Sequence, residues 1–207
     1  INPVVQGMVY GKKKKNYKDD NKKVIPILVH GDSAMSGQGV NYEMANMSKI
    51  EGYEVGGTVH IILNNQVGFT ANFKEARSSV YSTDLAKVTE SPVFHVNADD
   101  PEAVVHAMKT AIKIRENFNI DVYVDILGYR RYGHNEGDEP RFTQPNLYKL
   151  ISKHPTVQEV FLKKLVENKD IEEPEAKQMI ANFKHDLQEQ LNLVKEKKFS
   201  GRLDYFK

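Results

Sequence analysis

The sequence predicts an α/β fold: a doubly wound, mostly parallel sheet with helices on both faces, followed by a helical C-terminal extension. Three observations predict it. Four short apolar, β-branched runs stand at 24–30, 58–63, 93–97 and 121–127. Segments of helical period separate them, the pattern of βαβ units. From Asn146 to about Lys198 the chain reads as helix with breaks near His154-Pro155 and between Ile171 and Pro174. The expected division is an α/β domain over 1–150 and a helical extension or linker over 151–207.

The elements follow in order. Residues 1–11 carry apolar side chains at Val5, Met8 and Tyr10 and read as a weak strand. The run KKKKNYKDDNKK at 12–23 reads as a solvated, mobile loop, with a phosphate-attracting patch as the alternative. The first strong strand, Val24 to His30, contains Pro26, which is tolerated only near a strand start because proline cannot donate to a ladder. Val40, Met44, Met47 and Ile50 recur at helical spacing, so a helix is expected over 37–50, its methionines filling the core. Gly56-Gly57 turns the chain into the second strand. Residues 68–83 read as a long polar, irregular loop of functional character. After the third strand, Asp99-Asp100-Pro101-Glu102 is a helix start, with an Asp cap, proline in the first turn and early acidic residues. That helix is expected to run to Phe118, and the fourth strand leads into the charged, glycine-containing loop 129–145.

Bulk composition removes several function classes. Lys plus Arg number 29 and Asp plus Glu 28 in 207 residues, which argues against a general polyanion binder; no nucleic-acid partner is expected. There is no cysteine, hence no disulfide and no thiolate metal site. No apolar run nears the roughly 18 residues of a membrane span, and no membrane association is expected. No secretory signal is visible, and the first residue is Ile, so the chain is expected to be a piece or processed product of a longer protein. Neither a Gly-x-Ser-x-Gly elbow nor a Gly-x-Gly-x-x-Gly fingerprint occurs.

In a parallel sheet, ligands sit at the carboxyl ends of the strands. Gly31-Asp32, Asn64-Asn65, Asn97 and the segment 129–136 all fall there. Asp32 offers a carboxylate and Asn65 an amide oxygen, hard ligands suited to Mg²⁺. Two protein oxygens are too few for an octahedral ion, and phosphate oxygens commonly complete the set. Ser36-Gly37-Gln38-Gly39 would open the next helix and give a phosphate free N–H groups. Together these features imply a Mg²⁺-bridged diphosphate.

The spacing G-D-S, 30 residues, N-N resembles the thiamine-diphosphate motif, with Ser33 departing from its commonest third residue. Beyond it, HGDSAMSGQGVNYEMANMSKIEGYEVGGTVHIILNNQVGFT, SPVFHVNADDPEAVVHA and DVYVDILGYRRYGHNEGDEPRFTQP resemble the thiamine-diphosphate-dependent dehydrogenase components of 2-oxoglutarate dehydrogenase complexes. The resemblance covers roughly positions 1 to 190 and is absent from about 195 to 207.

What it implies is a thiamine-diphosphate-binding fold that takes thiamine diphosphate and Mg²⁺. The metal would be held by Asp32, Asn65 and the backbone carbonyl of Val67, with Ser33 and Ala34 also at the cofactor. That family decarboxylates 2-oxoglutarate and passes a succinyl group to the lipoyl arm of a partner succinyltransferase. Its sites form at homodimer interfaces, in the bacterial cytoplasm or the mitochondrial matrix. The family's cofactor-activating glutamate and its substrate-facing histidines lie on segments absent here, so this chain alone is expected to be inactive.

Arg130, Arg131, His134 and Glu136 crowd one loop. By residue type it reads as a salt-bridged surface loop. The resemblance of Tyr129 to His134 to a segment lying over the cofactor turns the reading to an active-site loop, with His134 at the diphosphate or moving a proton. His30 is a candidate neighbour of the Asp32 site, whereas His60 and His95 read as packed or hydrogen-bonded strand residues. His106, His154 and His185 read as surface or packing residues of helical segments. Two other readings stand beside this one: a non-catalytic α/β interaction module with a vestigial site, its surface after Asn146, and the same machinery acting on another 2-oxo acid. Loops 68–83 and 129–145 are expected to be mobile without cofactor.

Overall fold

A computed structural model describes residues 1–196. The chain divides into two compact units, Ile1–Val157 and the segment from Gln158 onward. The first unit contains α1 (Asn2–Asn16), β1 (Ile27–Gly31), α2 (Asp32–Gly37), α3 (Gly39–Met47), β2 (Val59–Asn64), the short pair β3 (Val67–Gly68) and β4 (Ala71–Asn72), and α4 (Phe73–Ala76). Then come a 3₁₀ turn (Asp84–Thr89), β5 (Val93–Asn97), α5 (Pro101–Phe118), β6 (Val122–Leu127), a 3₁₀ turn (Pro140–Phe142) and α6 (Pro145–Ile151). Two further helices, α7 (Val157–Glu167) and α8 (Glu173–Lys195), complete the description. The helix end expected near Lys198 lies outside the described residues.

The sheet has the order β1-β2-β6-β5, all parallel. Register places Gly31 opposite Leu63, and Asn64 and Asn97 both opposite Leu127. One face carries Met35, Ala45, Ile62, Leu85, Ala86 and Tyr123. The other packs Val96, Val122 and Val124 against Ala107 and Ala111 of α5. Helices on both faces are the expected doubly wound arrangement, and the four strands are those read from the sequence. Pro26 sits just outside β1, where its carbonyl accepts from Val59 N. Helix α5 begins with the Asp100 side chain accepting from Ala103 N and ends at Asn119.

Three expectations are corrected. Residues 1–11 form helix, not strand, and α1 extends into the lysine run. Its sheltered face carries Asn2, Val5, Gln6, Val9, Tyr10 and Lys13, of which Asn2, Gln6 and Lys13 are polar. Asn2 bonds Asn41 and Gln6 bonds Thr58. Lys13, only 3% exposed, reaches Asn21 and Asp19, burying its stem as long basic side chains do.

The helix expected over 37–50 stands as α3 (39–47), and a further short helix, α2, precedes it. Gln38 is extended (φ −98°, ψ 114°) between Gly37 and Gly39, two poor helix formers. Helix α2 starts at the strand end itself, on Asp32, and Gln38 alone separates it from α3. The segment 68–83 also has more structure than an irregular loop, holding the β3–β4 pair and the turn of α4.

A buried arginine closes the amino edge of the sheet. Arg115 of α5 is 0% exposed and donates to the carbonyls of Gly57, Asn21, Val24 and Val55. Gly57 (φ +85°) turns tightly there, and a Cβ would strike the Ile120 carbonyl.

Candidate functional site

The carboxyl edge gathers the polar groups. Asp32 follows the last residue of β1 and is 1% exposed. Burial pushes its carboxyl above the usual range, opposed by the Arg77 guanidinium and by the backbone N–H groups of Asp32 and Ser33. Arg77 Nη1 lies 3.3 Å from Asp32 Oδ2, in a pair with both side chains buried. Ser33 Oγ is buried with no hydrogen-bond partner. Gly68 lies directly against it, where a Cβ would collide with that hydroxyl. The Ala34 carbonyl accepts from Asn41 Nδ2 at 2.9 Å, tying α2 to α3.

The second strand end is a tight turn over residues 64–67. Asn64 Oδ1 accepts from Gln66 N (3.2 Å) and Asn65 Oδ1 from Val67 N (3.0 Å). Gln66 takes φ +64°, and its side-chain amide donates to the Gly128 carbonyl at 2.8 Å. In return Gly128 N donates to the Asn64 carbonyl at 2.8 Å. Asp125, a carboxylate in the middle of β6, accepts from His95 Nδ1 (2.9 Å) and from Asn64 Nδ2 (3.4 Å). The Tyr81 ring lies tilted against His95, with ring centres 4.2 Å apart.

The loop after β6 is clasped to the segment following Val67. Arg130 donates to Phe69 O (3.1 Å) and Tyr148 Oη (3.0 Å), and Gln144 donates to the Thr70 carbonyl. The His134 ring meets Phe69 edge-on at 4.9 Å, and its backbone N–H donates to Asp138. Arg131, His134 and Glu136 are exposed and line a cavity of about 840 Å³. A second cavity, about 530 Å³, is bounded by Asn64, Asn65 and Gly128 to Arg131. His30, two residues before Asp32, places Nε2 3.1 Å from His60 Nδ1 in a buried pair, and His60 stacks on Tyr123.

The structure thus brings Asp32, Ser33 and Val67-Gly68 together, sets Asn65 in the turn that precedes them, and places His134 beside Phe69. Among the described residues no three His, Cys, Asp or Glu side chains converge, so any cation here would rest on carboxylate, amide and carbonyl oxygens. The residues present fit a metal-bound diphosphate. A buried carboxylate has only one counter-ion, and an unpartnered buried hydroxyl stands next to it. Sequence reasoning missed Arg77, Gln66 and the His95–Asp125 pair. Asp125 did carry a signal: a charge within a strand read as buried needs a partner.

An open parallel sheet with its polar side chains collected at the carboxyl edge is the architecture of ligand-binding α/β domains. The chain belongs to the family of dehydrogenase E1 components, whose family model matches residues 1–201. It is 49% identical over 181 residues to a 2-oxoglutarate dehydrogenase E1 component of Bacillus velezensis, covering 85% of this chain and 19% of that one. Against the protein of the same name from Haemophilus influenzae it is 44% identical over 197 residues, 95% of this chain and 21% of the relative. A 2-oxoglutarate dehydrogenase E1/E2 component of Corynebacterium glutamicum is 43% identical over 199 residues, 95% and 16% of the two chains. The chain therefore spans about a fifth of the length of the curated relatives it matches.

Proposed function

We propose that this chain is the metal-and-diphosphate half of the active site of a 2-oxoglutarate dehydrogenase E1 component. The buried Asp32 carboxylate with the unpartnered Ser33 hydroxyl beside it carries this reading, and the names of the relatives supply the substrate. Asp32, Asn65 and the Val67 carbonyl hold Mg²⁺. Ser33 and Ala34, at the start of α2, receive the diphosphate of thiamine diphosphate. When bound, that cofactor supplies the carbanion and the electron sink that decarboxylation of a 2-oxo acid requires. His134, beside Phe69 on the clasped loop, binds the diphosphate or carries a proton.

In the whole protein, a homodimer, 2-oxoglutarate loses CO₂ and the succinyl group passes to the lipoyl arm of a succinyltransferase. The chain by itself is inactive, because it holds one half of the site. Calorimetric titration of thiamine diphosphate, with and without Mg²⁺, tests the reading on the native protein and Asp32→Ala. Magnesium-dependent binding that the substitution abolishes is expected; binding that persists unchanged in Asp32→Ala refutes it.

One observation favours the reading of an interaction module. Met179, Phe183, Leu187, Leu191 and Val194 form an exposed apolar stripe along α8. Tight binding of a partner protein together with no affinity for Mg²⁺-thiamine diphosphate would select it.

A further inference from the structure

We propose that Gln66 is a positioning residue for the metal: its side chain pins the turn 64–67 in the shape that presents the Asn65 amide oxygen and the Val67 carbonyl to the ion held by Asp32. This inference rests on the metal-and-diphosphate reading and names residues of that site that the reading leaves without a role.

Gln66 stands at φ +64°, in a region that L side chains with a Cβ rarely adopt. Six other described non-glycine residues also take a positive φ, so what distinguishes Gln66 is how its turn is held. The surroundings here are specific. The Gln66 amide donates to the Gly128 carbonyl at 2.8 Å, and Gly128 N donates back to Asn64 O at 2.8 Å, so two bonds fasten both sides of the turn to the end of β6. Inside the turn, Asn64 Oδ1 caps Gln66 N and Asn65 Oδ1 caps Val67 N. Asp125, itself held by His95, accepts from Asn64 Nδ2.

The left-handed residue is the one that reverses the chain between the two donors at 65 and 67. Without its anchor the turn can relax, and the two oxygens lose their common aim. Glycine would adopt this backbone without strain, so a Gln at the position is not explained by the turn alone. The explanation is the side chain's bond to Gly128. Residues that orient metal ligands without touching the ion commonly change metal affinity about 10- to 100-fold when replaced.

The test separates positioning from mere folding, because the two predict different signs. In the full-length polypeptide, Gln66→Gly removes the anchor and the backbone strain together. Its melting temperature without metal is expected to equal or exceed that of the unaltered protein. Its dissociation constant for Mn²⁺, followed by electron paramagnetic resonance with thiamine diphosphate present, is expected to rise tenfold or more. Gln66→Asn, which tolerates positive φ but falls a methylene short of Gly128, is expected to show the same rise and gives the answer if the glycine variant does not fold. Unchanged Mn²⁺ affinity in the folded variant overturns the positioning role. An unaltered protein that binds no Mn²⁺ with the cofactor present overturns the metal-and-diphosphate reading instead, and the two failures are distinguishable.

Discussion

Arg77 and Asp32 stand 45 residues apart in sequence and form a buried ion pair, Nη1 to Oδ2, at 3.3 Å. The arginine arrives on the segment just after α4, over the Phe73 ring. Both charges have left water, so each depends on the other. Replacing Arg77 by Met strands a carboxylate that burial already pushes upward. We expect Arg77→Met to lower the free energy of unfolding by about 3 kcal/mol, the cost typical of removing one partner of a buried pair. Urea unfolding at neutral pH measures it. If Asp32 binds the cation, saturating Mg²⁺ with thiamine diphosphate restores much of the loss, since a ligand bound only by the folded state stabilises it.

His30 gives the protein a pH dependence of known sign. Burial, aided by the neighbouring His60, lowers its pKa from 6.5 to about 4. Between those values the unfolded chain takes up a proton that the folded chain refuses. Stability is therefore complete above about 6.5 and is lost as pH falls toward 4. The loss attributable to this one group is roughly 3 kcal/mol at the lower limit. His30→Gln should flatten that part of the stability–pH curve, which denaturant midpoints at neutral and mildly acid pH will show. A variant curve parallel to the native one would contradict this account.

Arg115 holds together the loops at the opposite end of the sheet. Its guanidinium satisfies four backbone carbonyls in a site without solvent. Arg115→Met leaves those acceptors unpaired and should cost upwards of about 3 kcal/mol. Arg115→Lys should recover only part of it, because a lysine ammonium has three donors and lacks the planar fork. Chemical denaturation of the two variants gives the ranking.

Strands and α5 were legible because their signals are local. Apolar β-branched runs mark β1, β2, β5 and β6, and Asp100-Pro101 marks the start of α5. Helix α1 was not legible, since Asn2, Gln6 and Lys13 bury polar groups that hydrophobic periodicity ignores. Helix α2 was hidden for a different reason: Val40, Met44 and Met47 mark α3, whereas the six residues from Asp32 are too few to show an apolar stripe. Asp32 and Asn65 could be singled out because each ends a strand. Arg77 could not, because a charged residue in a polar segment has no sequence mark that aims it at a carboxylate. Gln66 escaped for want of any local signal of a positive φ, which non-glycine residues seldom show.

Ser33 yields the sharpest separation between stability and binding. Its hydroxyl is buried without a partner beside Gly68. A polar group in that condition costs free energy, about 1–3 kcal/mol in general. Ser33→Ala removes the hydroxyl and keeps the backbone and the packing, so the protein without cofactor should be unchanged or more stable by about 1 kcal/mol. The same substitution takes away a donor from the start of α2, where the proposed diphosphate lies, and a hydrogen bond to a charged acceptor is worth roughly 1.5–3 kcal/mol. Affinity for Mg²⁺-thiamine diphosphate should therefore fall at least tenfold while the melting temperature holds or rises. Thermal denaturation and calorimetry on one preparation give both numbers. A variant that loses stability and keeps its affinity would show that the hydroxyl serves packing, and the diphosphate would then have to be placed elsewhere along the strand ends.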